Sequence, residues 1–320
     1  EVGAEGSVPV IEAYKAVKDR GELTAHVTMA LKWKNEQPQG QIEDISRAMQ
    51  RAKELGFRAD TVKLFIDGVI PQMTAAMIEP YEGTLHERGE TQISPETLTA
   101  AVKALDARGM QVHFHAIGDR ATRDALDAVE AARRADGMQD TRPMISHLNV
   151  VEPEEQARFG QLGVTAVFQP LWACIEPYML LTIEKVGPER AKHIYPANSI
   201  LQSGGMLAYG SDWPVASANP FEGIEVALNR SDPYVADSKP LLPEQGVTLA
   251  QAIRAYTLNV AYVNRNDEIT GSIAPGKSAD MIVLDRDLFA LPARDISDTR
   301  VLVTLFGGRE VFGSLDALGR

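Results

Sequence analysis

The chain has 320 residues and a formal net charge of −12, with 44 acidic side chains against 32 basic ones and no basic block. That balance argues against a nucleic-acid partner, because phosphate binding needs a Lys/Arg surface, and no run approaches the roughly 20 apolar residues of a membrane span. Cys174 is the only cysteine, so no intrachain disulfide or multi-cysteine metal knuckle can form, which suits a reducing, cytoplasmic setting.

At 44% hydrophobic residues the sequence can bury a large α/β core. It opens EVGAEGSVPV, with neither an initiating Met nor a basic-then-apolar leader pattern. Processing, or membership of a longer protein, is the expectation there.

From residue 23 onward, short apolar runs alternate with helical stretches. Strand 23–31 precedes helix 43–56, which Gly56 is placed to end, and strand 61–66 is closed by Asp67 and Gly68. Helix 94–109 carries the clearest signals, with Ser94 as N-cap, Pro95 at the first helical position and Gly109 past the end. Leu98, Ala101, Val102 and Leu105 form its buried stripe. The alternation continues through strand 111–116, helix 120–135, strand 142–148, helix 153–163 and strand 164–170. An irregular segment with a helix near 188–203 leads to strand 206–211, and a proline-bearing loop leads to helix 248–263.

Six strands alternating with helices imply a parallel sheet, and the nearest closed form is a (β/α)8 barrel. The count falls two short of eight. Residues 271–287 and 298–313 read as strands without a long helix between them. The expected division is therefore a barrel portion over 1–270 and part of a small β domain over 271–320.

Functional residues of such barrels sit at the C-terminal ends of strands. Lys63, His115, His147 and Asp212 meet that rule on successive strands, and all four can serve metal-ligand or acid–base chemistry. His113 and His115, two apart on one strand, share a face, and His113 lies about 7 Å deeper.

Five segments, VKLFIDG (62–68), HAIGDRA (115–121), ISHLNVV (145–151), YGSDWPV (209–215) and GSIAPGKSADMIVLD (271–285), resemble the metal-dependent amidohydrolases. The similarity is greatest to the branch containing N-substituted formamide deformylase. The resemblance implies a divalent-metal hydrolase, with one or two Zn2+ ions, that acts on non-peptide carbon–nitrogen bonds of a small-molecule substrate. It implies that Lys63 is carboxylated to a metal-bridging carbamate, a modification that needs a neutral amine. His115 and His147 would hold one metal. Asp212 would bind the metal or the hydrolytic water and act as general base. His113 is then an interior residue, since the family's own H-x-H motif belongs to a first strand that this sequence does not display.

Other residues carry less. His26 and His86 read as structural or surface residues, His193 as a lid or substrate contact, and Asp119 as the cap of the helix after it. Trp172, Trp213 and Cys174 follow strand ends near the expected rim. Two competing readings are a Schiff-base aldolase built on Lys63, which borohydride trapping would reveal, and a non-catalytic fragment lacking half its metal site. Without an H-x-H strand the chain is expected to be metal-poor and nearly inactive, and open edges on strands 23–31 and 206–211 would leave it self-associated or bound to an N-terminal segment.

Overall fold

The computed structural model describes residues 4–5, 8–37 and 40–319. Its main sheet is parallel and runs in chain order: β1 (Ala4–Glu5), β2 (Thr28–Lys32), β3 (Arg58–Phe65), β4 (Gln111–Ala116), β5 (Met144–His147), β6 (Thr165–Phe168) and β7 (Met206–Tyr209). Seven strands replace the six read from the sequence. The extra one is two residues long, too short to carry any alternation, and it pairs Ala4 with Met29 and Glu5 with Ala30. The edge of strand 23–31 is thus partly covered, contrary to expectation. Strand β7 is also not bare, since Asn259 Nδ2 donates to the Leu207 carbonyl at 2.8 Å.

Strands β5 and β6 are buried at every residue, as expected where helices cover one face of a parallel sheet and side chains fill the other. The outer layer includes α1 (Val8–Asp19), α2 (Gln41–Glu54), α3 (Pro95–Asp106), α4 (Asp119–Asp136) and α5 (Pro153–Leu162). In α3, Ser94 accepts from Thr97 N and the four expected stripe residues are buried. Asp119 departs from the reading. Gly118 occupies the N-cap of α4, and Asp119 lies in the first turn, where its Oδ1 accepts from Ile78 N (2.8 Å) and Arg120 N (2.7 Å).

The irregular segment is more helical than its sequence suggests. It holds α6 (Pro177–Arg190), bent where Gly187 leaves helical geometry, and α7 (Ala197–Gln202). The proline-bearing loop contains α8 (Pro220–Asn229), capped by Asn219, whose Oδ1 accepts from Phe221 N. Helix 248–263 is two helices, α9 (Leu249–Tyr256) and α10 (Leu258–Val263), broken at Thr257 (φ −119°, ψ −88°).

The tail forms a separate antiparallel sheet of β8 (Met281–Leu284), β9 (Val301–Phe306) and β10 (Arg309–Phe312), in the order β10-β9-β8. Gly307 and Gly308 both have positive φ (57° and 77°), the backbone that a two-residue hairpin turn demands. His26 joins this sheet to the approach to β2 through a 2.7 Å contact between its Nε2 and Asp280 Oδ2.

Candidate active site

A cavity of about 760 Å³ opens at the C-terminal ends of the strands, and Lys63, His113, His115, His147 and Asp212 all line it. The four residues named from strand-end position therefore meet in one place. The register explains most of this: Lys63 pairs with His113, Phe65 with His115, and His115 with Ser146, so these side chains share the inner face. His147 pairs with Ala116, which belongs to the opposite face. A left-handed backbone at His147 (φ 82°) and at Leu148 (φ 53°) breaks the alternation and brings the His147 ring to the cavity. Asp212, three residues beyond β7, is also left-handed (φ 55°). Such conformations cost about 1–3 kcal/mol each and persist where the surroundings enforce them, commonly at functional sites.

The two rim imidazoles are held alike. His115 and His147 meet edge to face with ring centroids 4.5 Å apart. His115 Nε2 lies 3.2 Å from the Gly68 carbonyl, which can only accept, so that nitrogen carries the proton and Nδ1 keeps its lone pair. His147 Nδ1 lies 2.9 Å from Gln169 Oε1, which leaves Nε2 as the free lone pair. One nitrogen pinned by an acceptor and the other left open is how proteins orient metal-binding histidines. Burial, and then the nearby Lys63 charge, brings His115 down to about 4; burial, then His115 and Lys63, holds His147 well below its ordinary value. Both rings are neutral at pH 7, as ligation requires.

His113 is deeper, 2% exposed against 14% for the His115 side chain. Its Nε2 lies 3.1 Å from Lys63 Nζ and 2.5 Å from Ser146 Oγ, while its Nδ1 is buried with no partner among the described residues. Burial raises the Asp212 carboxyl above its ordinary value, opposed by the Lys63 charge.

Asp67 was read only as part of a turn. It is 1% exposed, and its oxygens accept from Ala76 N (3.0 Å), Ile117 N (3.0 Å) and Gly118 N (2.8 Å). One carboxylate thereby locks the end of β3 to the exit of β4 and stands 3.7 Å from His115 Nε2. Burial pushes it up to about 7, against the pull of those three donors. Gln169 and Ser146 were missed too. Neither has a sequence signal beyond lying near a strand end.

The weaker readings divide. Trp172 lines the cavity and stacks on His147 (5.8 Å, 15°), whereas Trp213 is 63% exposed and outside the lining. His193 is also outside it, and its carbonyl accepts from Val151 N. His86 is exposed. Cys174 lines the cavity, but burial pushes its thiol up to about 12, which removes it as a nucleophile at neutral pH.

Residues 3–312 match the model of the amidohydrolase family. The chain belongs to that family. Among curated relatives it is 35% identical over 252 residues to Protein LONG AFTER FAR-RED 3 of Arabidopsis thaliana, covering 78% of this chain and 42% of that protein. It is 28% identical over 269 residues to N-substituted formamide deformylase of Arthrobacter pascens, covering 84% and 48%. A crystal structure of an uncharacterized metal-dependent hydrolase from Pyrococcus furiosus superposes with a TM-score of 0.70 at 28% identity, covering 89% of this chain and 55% of that one. The chain spans about half the length of the curated relatives it matches. Like its relatives' family name, the barrel-type α/β fold is that of an amidohydrolase, and no helix among the described residues is long and apolar enough to cross a membrane.

The depressed His115 is expected to make the metal-free chain acid-sensitive. Its folded pKa of about 4 lies below the unfolded value of about 6.5, so between those values the unfolded chain binds the extra proton. Stability from this residue is present above pH 6.5 and is lost as pH falls toward 4. A His115→Gln variant has no such proton to bind. The gap in stability between it and the parent is expected to shift by about 3 kcal/mol from pH 7 to pH 4, read by urea denaturation. A gap that does not change with pH would contradict the burial argument.

Proposed function

We propose that this chain carries the hydrolytic centre of a metal-dependent amidohydrolase that cleaves a non-peptide carbon–nitrogen bond, an amide or an N-formyl group. The supporting observation is the pair of neutral imidazoles, each with one nitrogen pinned and one free, in the cavity that also holds Lys63 and Asp212. Among the described residues no three His, Cys, Asp or Glu side chains form a metal-holding group. In this reading Lys63 supplies the third donor, and because an ammonium group has no lone pair to give, it does so only once modified. Carboxylation at Nζ would convert it into an oxygen ligand beside His115 Nδ1 and His147 Nε2. A divalent ion held there, with Zn2+ matching the imidazole content, would supply Lewis acidity and a more acidic water.

The remaining work falls to this chain's own groups. His113, itself fixed by Ser146, holds Nζ of Lys63 on the deep side. A carboxylate oxygen of Asp212 takes the proton of the attacking water and returns it to the leaving nitrogen. Among the described residues a second ion would have only Lys63 and Asp212 as protein ligands, fewer than the three usual for catalytic zinc. The chain is therefore expected to bind about one equivalent of metal. Supplied with Zn2+ and isotope-labelled bicarbonate, it should show a carbamate resonance, and Lys63→Ala should lose both that resonance and the metal. Metal content and amide hydrolysis unchanged in Lys63→Ala would overturn the proposal.

A further inference from the structure

The cavity is far larger than an amide bond needs, and most of what lines it away from Lys63 and Asp212 is apolar or aromatic. Leu171 and Trp172 come from the segment after β6, Tyr178 and Met179 from the first turn of α6, and Tyr234 from the loop after α8. These walls are fixed. Glu176 caps α6 by accepting from Tyr178 N (2.8 Å) and Met179 N (2.6 Å), and Trp172 is stacked on His147. Tyr234 is 67% exposed yet tied at both ends, its hydroxyl donating to Glu222 Oε2 (2.8 Å) and its backbone N–H to Asp232 Oδ1 (2.8 Å). Glu176 and Asp232 put two acidic side chains in this part of the cavity.

Resting on the hydrolase reading above, we propose that this outer part of the cavity is a specificity pocket for a flat apolar substituent, an aryl or arylalkyl group, carried by an amide without a carboxylate. A planar ring gains area and quadrupole contacts against Trp172 and Tyr234, while a carboxylate would be desolvated beside Glu176 and Asp232. Trp172, one face of which already meets His147, links the pocket to the metal-binding side, so a ring seated there sets the distance from substituent to scissile bond.

Binding can be read without turnover, by tryptophan fluorescence of the metal-free chain titrated with three probes. N-phenylacetamide is expected to bind at least about tenfold more tightly than N-methylacetamide, and 4-acetamidobenzoate more weakly than N-phenylacetamide. Trp172→Phe should abolish the fluorescence response, and Tyr234→Ala, at a residue 67% exposed and checked for parent-like urea denaturation, should weaken binding of the aryl probe measured by calorimetry. Trp213→Phe should leave affinity unchanged. Equal affinity for the aryl and methyl probes, or a Tyr234→Ala variant that binds as the parent does, would overturn the pocket. Aryl-selective binding in a chain that never hydrolyses an amide would instead overturn the hydrolase reading and leave the pocket standing.

Discussion

Asp212→Asn is expected to lower amide turnover by at least about 10²-fold in the metal-loaded chain while leaving the shape of the site intact. Asn keeps the volume and one acceptor oxygen of Asp212 but cannot take a proton from water. Metal content is expected to stay near that of the parent, because the proposed ligands His115, His147 and Lys63 are untouched. The parent's pH–rate profile should carry an acid limb from protonation of the Asp212 carboxylate, which can then no longer take the water's proton. That limb should be missing from the residual activity of the variant. A variant with the parent's rate would remove Asp212 from the mechanism.

Gly118→Ala is expected to be the most damaging small substitution near the site. A Cβ at this position would overlap the backbone oxygen and carbon of Ala76, neither of which is free to move. Gly118 N donates to Asp67 Oδ2, and Ala76 N donates to the same oxygen, so relieving the overlap means breaking the lock between β3 and β4. The cost is at least about 3 kcal/mol, the upper end for overpacking, because backbone and a buried carboxylate must yield together. Urea denaturation reads it as a lower midpoint, and loss of His115 positioning should weaken metal binding in whatever folds. Stability within about 0.5 kcal/mol of the parent would show that the 74–76 loop is not tightly held.

The two glycine–aspartate motifs show how far the sequence could be read. By its letters FIDG closes strand 61–66, and HAIGD carries a second glycine–aspartate pair just past strand 111–116. In three dimensions they form one structure, with Asp67 of the first gripping Ile117 and Gly118 of the second. An aspartate before a glycine carries the same letters whether it makes a local turn or reaches 51 residues along the chain. Likewise the helix α8 was hidden because its flanking prolines suggested a loop, although Asn219-Pro220 is itself a cap signal. The strand Ala4–Glu5 could not be seen at all, since two residues have no period.

The sequence by itself determined the parallel α/β class, the order of the strands, and which residues would stand at their ends. Strand and helix periods, caps and terminal glycines are local properties, and strand-end position follows from them. It also set His113 and His115 on one face through their i, i+2 spacing, and the parallel register of the structure then places Lys63 beside His113. Only the tertiary structure decided that His147 belongs with them. Its strand parity sends it outward, and the left-handed turn at His147 and Leu148 that reverses this is stabilised by nonlocal partners, Gln169 on the ring and the Ala116 carbonyl on Leu148 N. The same holds for the tautomers of His115 and His147. A sequence names the imidazole, but the acceptor that claims one nitrogen, and so frees the other, comes from a different part of the chain.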